Sequence, residues 1–337
     1  MFSVTKTFMK KAFRKSKYSI AALLVVFVSL LIFSFFKSGK NTDDKDYNDF
    51  FLRRYSVFAL NIPEKLTFAG EDVPLDHFDV REALDQELLV NTYWQSQTLL
   101  FIKRAKRDFP EIERILKENN IPDDFKYLVL AESELKNVVS PSGAVGIWQL
   151  LEGTAKDHGL EVNDNVDERY HIEKATEAAS VFLNKSKELF GSWTMAAASY
   201  NMGRTGLLKQ VKRQNQTDYY NLLLNDETAR YIFRILAIKQ IIENPQNYGF
   251  YLREKDMYYP IPSYQVRVDT SVSDFASFSE KYNINYKILK HFNPWLRDSF
   301  LDNKNGKEYF FKIPHDGYRS YTKITDQMKF DTTFVKN

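Results

Sequence analysis

The chain of 337 residues contains no cysteine, which removes a whole group of chemistries. Disulfide bonds, thiolate metal sites, cysteine nucleophiles and lipid-modified cysteines are all excluded. Histidine is scarce as well, and the five histidines show no ligand spacing such as HExxH. The sequence therefore predicts no metal site and no cofactor. Packing must hold the protein together, and 44% hydrophobic residues are enough for more than one core.

Acidic residues are missing from the first 40 positions, which carry eight lysines and arginines. The rest of the chain holds 39 basic and 44 acidic side chains, a net charge of −5. The net charge of +3 for the whole chain thus reflects its N-terminus. The basic balance gives no support for nucleic acid as a partner.

An uncharged apolar run, SIAALLVVFVSLLIFSFF at 19–36, follows this basic segment. Its length suits a transmembrane helix, and the positive charges before it predict that residues 1–18 lie in the cytoplasm. The alternative is a cleaved signal peptide, but the following FFKSGKNT lacks a small-x-small cleavage motif. We expect a single-pass anchor in the cytoplasmic (inner) membrane, with the rest of the chain facing the periplasm or cell wall.

Strand signals are absent from the middle of the chain, which has helical patterns instead. Residues 37–76 resemble a tether and lead-in, and 79–107 form a long amphipathic pattern without glycine or proline. Pro110 predicts the start of a further helix, and Pro122 the start of the next one. Further helical patterns cover 172–190, 193–201 and 226–243.

The pattern changes near residue 263. YQVRVD at 264–269 alternates apolar and polar residues, and the alternation returns at 309–313 after an Asn-Gly turn. Between these strands, Ser271 and Asp274 predict the cap of a helix. The sequence thus predicts a β-α-α-β module at 263–314 and then a tail at 315–337.

The run AESELKNVVSPSGAVGIWQL at 131–150 places one acidic side chain, Glu132, at the end of an apolar helix. Apolar residues precede it at helical spacing on one face: Phe125, Leu128 and Val129. Because burial disfavours the charged form, such a carboxyl can stay protonated near neutral pH, as a general acid must. The opposite side of the helix is also apolar, so the residues alone leave a second interpretation, in which Glu132 caps the helix or forms a salt bridge.

Several motif blocks, in order, resemble the lytic transglycosylases with a goose-type-lysozyme-like catalytic domain, of the membrane-bound lytic murein transglycosylase D type. The blocks are Glu132-Ser133 with SGAVGIWQ (142–149), VDERYHIEKATEAASVFL (166–183), AASYNMG (197–203) and ETARY (227–231). The resemblance covers about residues 77–245. The C-terminal module, with NP at 293–294 and KIP at 312–314, resembles a divergent LysM module.

This resemblance implies a mainly α fold, with a lysozyme-like helical catalytic domain at 77–255, the N-terminal transmembrane helix and the small LysM-like module. It implies cleavage of the β-1,4 bond between N-acetylmuramic acid and N-acetylglucosamine in peptidoglycan glycan strands, with a 1,6-anhydro end. Glu132 would be the catalytic acid and then the base. The implied substrate-binding residues are Ser142, Gln149, Tyr200, Asn201 and Tyr231. The implied supporting residues are Ser133, Gly143, Gly146 and Glu227.

Several alternatives stay open. Most glycosidases use a second carboxylate; Glu134 would face away from Glu132 on a helix. Spacing leaves four more acids open: Glu152, Asp157, Asp167 and Glu227. A hydrolytic muramidase would add water instead of cyclising, and a non-catalytic wall-binding scaffold would need no buried acid. The LysM-like module is expected to bind glycan weakly and to tether the enzyme to the wall; the alternative is a module that serves only for packing or as a spacer.

Overall fold

A computed structural model describes residues 42–54, 57–322 and 324 of the chain. Helix α1 (Thr42–Arg54) belongs to one of two compact units of the chain. Residues 59–322 belong to the second compact unit, and this unit contains the elements that matter for function.

The expected fold class needs a correction, because it included a transmembrane helix at 19–36. Within 42–54, 57–322 and 324, no helix is long and apolar enough to cross a membrane. The helices found there are mostly amphipathic, with one face in the protein core and charged residues on the other. The run 19–36 itself lies outside the described residues. In the part of the chain that the structure describes, the architecture is therefore mainly helical with a small β-α-α-β module, and no membrane-spanning element is found there to support the membrane as a partner.

Eight α-helices build the region between residues 78 and 243. They are α2 (Phe78–Tyr93), α3 (Gln95–Glu118), α4 (Phe125–Ser133), α5 (Glu152–Asp157), α6 (Ile172–Phe190), α7 (Trp193–Met202), α8 (Arg204–Gln214) and α9 (Asp226–Glu243). Short 3₁₀ turns lie at Glu168–Tyr170, Tyr219–Asn221, Pro245–Tyr248 and Glu254–Asp256. The predicted helices at 172–190, 193–201 and 226–243 correspond to α6, α7 and α9.

The boundary between α2 and α3 differs from the sequence prediction. The break falls at Trp94, and α3 runs through Pro110 without stopping. Proline inside a helix removes one hydrogen bond and costs about 3 kcal/mol. An unbroken apolar stripe before and after Pro110 offsets this cost: Phe101, Ile102, Ala105, Phe109, Ile112, Ile115 and Leu116 are all buried.

Helix α4 lies at the centre of this region and is buried on nearly all sides. Phe125, Leu128 and Val129 are fully buried, and Tyr127 and Leu130 on the other side are nearly so. It packs against α3 and α9, and α9 also contacts α2 and α7. Both faces of α4 thus lie in the core, which explains why its sequence did not identify a single buried face.

The lead-in before α2 belongs to the same core. Strands β1 (Thr67–Phe68) and β2 (Glu71–Asp72) form a small antiparallel hairpin, and Leu66, Phe68, Val73 and Leu75 are buried in the main cluster. The expected tether therefore ends before residue 66, and the segment after it stabilises the helical domain.

The C-terminal module has the predicted order of elements. Strand β3 (Ser263–Val268) pairs antiparallel with β4 (Tyr309–Pro314), and helices α10 (Phe275–Glu280) and α11 (Tyr286–Phe292) lie between them in the chain. The cap of α10 is Asp274, whose carboxylate accepts the N–H groups of Ala276 and Ser277. Ser271 was expected to share this role, but its hydroxyl accepts the N–H of Asn303. A loop contact thus replaces the predicted capping box.

Candidate active site

Glu132 lies in the last turn of α4, where the core meets the protein surface. Its side chain is only partly exposed, and the hydroxyl of Tyr231, on α9, donates a hydrogen bond to Glu132 Oε1. Tyr231 is itself buried. The two residues are 99 positions apart in the chain and meet because α4 and α9 pack against each other.

Burial raises the pKa of Glu132 from its ordinary value of 4.5 to about 7. Desolvation is the largest cause, and the negative charge of Glu227 acts in the same direction. The hydrogen bond from Tyr231 and the positive charge of Arg234 oppose the shift. Near neutral pH, Glu132 is therefore poised to give up a proton and to take one back, which is what a single group serving as acid and base requires.

Ion pairs between the buried carboxylate of Glu87 and two partly exposed arginines support the α9 side of the site. Glu87 of α2 is 1% exposed, and its carboxylate binds the guanidinium of Arg230 at 2.6 Å and lies 3.7 Å from that of Arg234. These arginines flank Tyr231 on α9. Because breaking a buried pair leaves an uncompensated charge, the network fixes α9 against α2 and so fixes Tyr231 in front of Glu132.

Asn201, at the end of α7, is held by α9 from two directions. Its Nδ2 donates to Glu227 Oε1 at 3.0 Å, and its Oδ1 accepts the hydroxyl of Thr228 at 2.7 Å. Glu227 is exposed, in contrast to Glu132. Asn201 and Glu227 thus form one polar edge of the site, and the charge on this edge adds to the effect of burial in raising the pKa of Glu132.

The loop after α4 forms the other edge. The hydroxyl of Ser133 donates to Ile147 O at 2.6 Å, which ties the loop to the residue next to the acid. Gln149 has a φ of +49°, and its side-chain amide donates to Gly146 O at 2.7 Å and Val138 O at 3.1 Å. A non-glycine residue in this conformation is strained, and such strain often accompanies functional positions.

Tyr200 links α7 to this loop. Its hydroxyl donates to Trp148 O at 2.6 Å. Burial raises the pKa of Tyr200 well above its ordinary value, and the charge of Glu132 contributes to the same shift. The indole of Trp148 is fully buried and donates to Thr176 Oγ1 at 2.8 Å. Trp148 is therefore a core residue.

The two glycines of the loop differ in what they require. Gly143 is exposed at a φ of +79° with open space around it, whereas Gly146, at +82°, lies against the backbone of Arg169. A Cβ at position 146 would lie 2.0 Å from Arg169 O, so only glycine fits there. Ser142 lies on the exposed part of the loop with its hydroxyl 2.9 Å from that of Ser140; no contact between Ser142 and Glu132 is found within 57–322.

The remaining acidic candidates have other partners or lie on the surface. Glu134, at the left-handed end of α4, pairs with Lys136 and lies 3.6 Å from Arg104. Glu152 pairs with Lys156, and Asp167 with Arg169, while Asp157 is exposed. Among the acids that spacing left open, Glu227 is the one whose charge acts on Glu132.

Two segments of the chain match models of known protein families. Residues 110–223 match the family described as the Transglycosylase SLT domain. Residues 264–317 match the Soluble lytic transglycosylase C-terminal LysM-like domain. The chain carries an SLT transglycosylase domain followed by a LysM-like domain, and the resemblance inferred from the motif blocks is confirmed.

Two curated proteins are also similar to this chain. The chain is 28% identical over 251 residues to membrane-bound lytic murein transglycosylase D of Escherichia coli K12, which covers 72% of this chain and 54% of that protein. The protein of the same name from Escherichia coli O6:H1 (strain CFT073) gives the same figures. The chain thus spans about half the length of the curated relatives it matches.

Sequence reasoning did not identify the charged residues that support the site. Glu87, Arg230, Arg234 and Arg169 received no role from the sequence, although the last three lie in or next to the motif blocks. The available signal was the presence of two arginines, four positions apart, on either side of the apolar residues 231–233 of α9. Their partner on α2 is 143 positions away, and no local pattern connects the two.

Proposed function

We propose that this protein is a peptidoglycan lytic transglycosylase that uses Glu132 as its single catalytic group. The observation that carries the proposal is the carboxyl of Glu132, enclosed by α4 and α9, hydrogen-bonded by Tyr231 and with a pKa raised to about 7. The matches to the SLT and LysM-like families support peptidoglycan as the substrate.

In the proposed reaction, Glu132 protonates the oxygen that links N-acetylmuramic acid to N-acetylglucosamine. The bond from C1 of the muramic acid to this oxygen breaks, and its electron pair stays on the departing sugar. The C6 hydroxyl of the same muramic acid then attacks C1 and returns its proton to Glu132. No water is consumed, and the product ends in a 1,6-anhydro ring. Proximity within one sugar replaces the second carboxylate of ordinary glycosidases.

The other site residues would serve binding and orientation. Tyr231 would orient the carboxyl of Glu132, and Tyr200, Asn201, Gln149 and Ser142 would line the cleft around the sugars. Ser133, Gly143, Gly146 and Glu227 would hold its edges. Most of these groups already have intramolecular partners in this structure, so their role is to shape the cleft around Glu132 as well as to contact the substrate.

We also propose that the enzyme works in the cell envelope, with its SLT domain facing the periplasm or cell wall. The similarity to a protein named as membrane-bound supports this location, and so does the nature of the substrate, which lies outside the cytoplasm.

The decisive experiment is mass spectrometry of the fragments that the purified protein releases from sacculi. We expect 1,6-anhydromuramic acid ends from the wild type. Reducing ends, heavier by one water, would show a hydrolytic muramidase instead. If no fragments appear while the protein still pellets with sacculi, it is a wall-binding scaffold. Glu132→Gln, prepared in parallel, shows that any fragments come from this site and not from a contaminating enzyme.

A further inference from the structure

The LysM-like module (residues 263–314) shares a hydrophobic core with the SLT domain. Its buried side chains, including Phe275, Trp295 and Leu296, form one cluster with Val145, Val166 and Tyr170 of the catalytic domain. Val145 belongs to the loop that follows Glu132. A module that acted only as a tether would not need to bury a residue of the active-site loop.

Backbone hydrogen bonds join the two parts at the same place. Val166 and Leu296 form an antiparallel bridge. Asp167 N donates to Trp295 O at 2.9 Å, and Arg297 N donates to Asn165 O at 2.8 Å. These bonds position the segment before Asp167 directly on the module.

Side chains at the rim of this interface add polar contacts. The guanidinium of Arg297 lies 4.1 Å from the ring centre of Tyr170. The hydroxyl of Tyr309 donates to Glu161 Oε2 at 3.0 Å, and Lys307 pairs with the same carboxylate. These residues lie on both sides of the bridge between Val166 and Leu296, so the contact is broad.

Arg169 continues the connection from this interface to the active-site loop. Its guanidinium donates to both carboxylate oxygens of Asp167, at 2.9 and 2.8 Å, and both side chains are nearly buried. The free edge of the same guanidinium donates to Gly143 O at 3.3 Å and Leu150 O at 3.4 Å. The carbonyl of Arg169 meanwhile lies against Gly146. Arg169 thus contacts the start, the middle and the end of the loop 143–150.

We propose that Arg169 is a positioning residue for this loop and that the LysM-like module holds Arg169 in place through Asp167 and Trp295. The module then contributes to turnover as well as to retention on the wall. The inference rests on the proposed function, because the loop matters through Gln149, Trp148 and the contact with Ser133 beside Glu132.

The proposal predicts a particular kinetic change. Displacing a catalytic element by about 1 Å can cost up to about a hundredfold in rate. We expect Arg169→Gln to lower kcat on short soluble glycans about tenfold or more, since the loop contributes geometry at the reacting centre. KM should change little. Arg169→Lys keeps the charge beside Asp167 but cannot reach both carbonyls, so it should restore part of kcat.

The contribution of the LysM-like module to turnover is tested in the full-length protein with the double variant Arg297→Ala/Lys307→Ala. Both side chains are on the surface, so this variant should fold. The matched control is Arg267→Ala, a surface arginine of the same module whose ion-pair partners, Asp269 and Glu308, both belong to the module itself. We expect a lower kcat in the interface variant and wild-type kcat in the control, with assays done well below each unfolding temperature.

The outcomes separate this inference from the proposed function. An inactive Glu132→Gln variant supports the enzyme assignment. If, at the same time, the folded Arg169 and interface variants keep the wild-type kcat and lose only thermal stability, the positioning role of Arg169 is rejected. If Glu132→Gln remains active, the proposed function itself fails. Should Arg169→Gln not fold, the interface variant decides: a lowered kcat supports the inference, and a wild-type kcat overturns it.

Discussion

Two glutamates in this protein are both partly exposed, and their pKa values are shifted in opposite directions. Glu71, on β2, accepts hydrogen bonds from the backbone N–H groups of Trp193 and Thr194 and from the hydroxyls of Ser192 and Thr194. Burial opposes ionisation there, but these donors, led by Thr194, lower the pKa to about 2. At Glu132 burial raises the pKa and one hydrogen-bond donor, Tyr231, lowers it; the net result is a pKa of about 7.

The difference shows that burial alone does not make an acid catalyst. The carboxylate of Glu71 lies at the N-terminus of α7. It accepts hydrogen bonds from several donors there and stays charged. The carboxyl of Glu132, near the end of α4, meets one tyrosine and the charge of Glu227, and its pKa is raised to about 7. The deeper burial of Glu132 and its smaller number of hydrogen-bond donors together decide the outcome, so changes in these donors test the comparison.

The largest expected effect is on catalysis. Glu132→Gln should lower kcat by about 10⁴, because the amide cannot transfer a proton and the same group would act twice. Turnover of sacculi, measured by fragment release, checks this. Circular dichroism confirms that the variant is folded. A folded variant that keeps more than about a tenth of wild-type turnover would contradict the role of Glu132, since general acid catalysis alone contributes at least about 10².

The next effect is on stability. The folded-state pKa of Glu71 is depressed, so its stabilisation is present above about 4.5 and is lost as the pH falls towards 2. Glu71→Gln should therefore reduce the free energy of unfolding at pH 7 by about 2 kcal/mol, after allowance for partial exposure. The difference from the wild type should shrink below pH 4. Denaturant unfolding at several pH values measures it.

Glu132→Gln is the matched control for this measurement, with the opposite sign. The folded-state pKa of Glu132 is raised, so the wild type loses stability as the pH rises from about 4.5 through 7. The free energy of unfolding of the Glu132→Gln variant should therefore increase relative to that of the wild type over this pH range. If both variants showed the same pH trend, the contrast between the two carboxyls would be wrong.

The smallest expected effect comes from Tyr231→Phe. Loss of one hydrogen bond to a charged group should lower kcat about tenfold. Because the bond from Tyr231 lowers the pKa of Glu132, its removal should raise that pKa further, and the alkaline decline of activity should shift above its wild-type midpoint near 7. A pH–rate profile checks both points. An unchanged or lower midpoint would show that Tyr231 does not act on the acid.

The sequence predicted the elements with strong periodicity. Helices α6, α7 and α9 and strands β3 and β4 lie close to where their patterns placed them, because local spacing reports which face is buried. The break at Trp94 and the continuation of α3 through Pro110 were missed. At Pro110, contacts with other helices outweighed the local preference of proline for a helix start, and helix propensity does not include such contacts.

The sequence by itself determined the candidate acid, the order of the motif blocks and the β-α-α-β pattern of the C-terminal module, since all of these are encoded within short stretches. Only the tertiary structure decided what surrounds them. The bond from Tyr231 to Glu132, the pairing of Glu87 with α9 and the contact of Arg169 with the active-site loop join elements that no local pattern relates. A pKa depends on such neighbours in space, so the proton on Glu132 is a property of the fold.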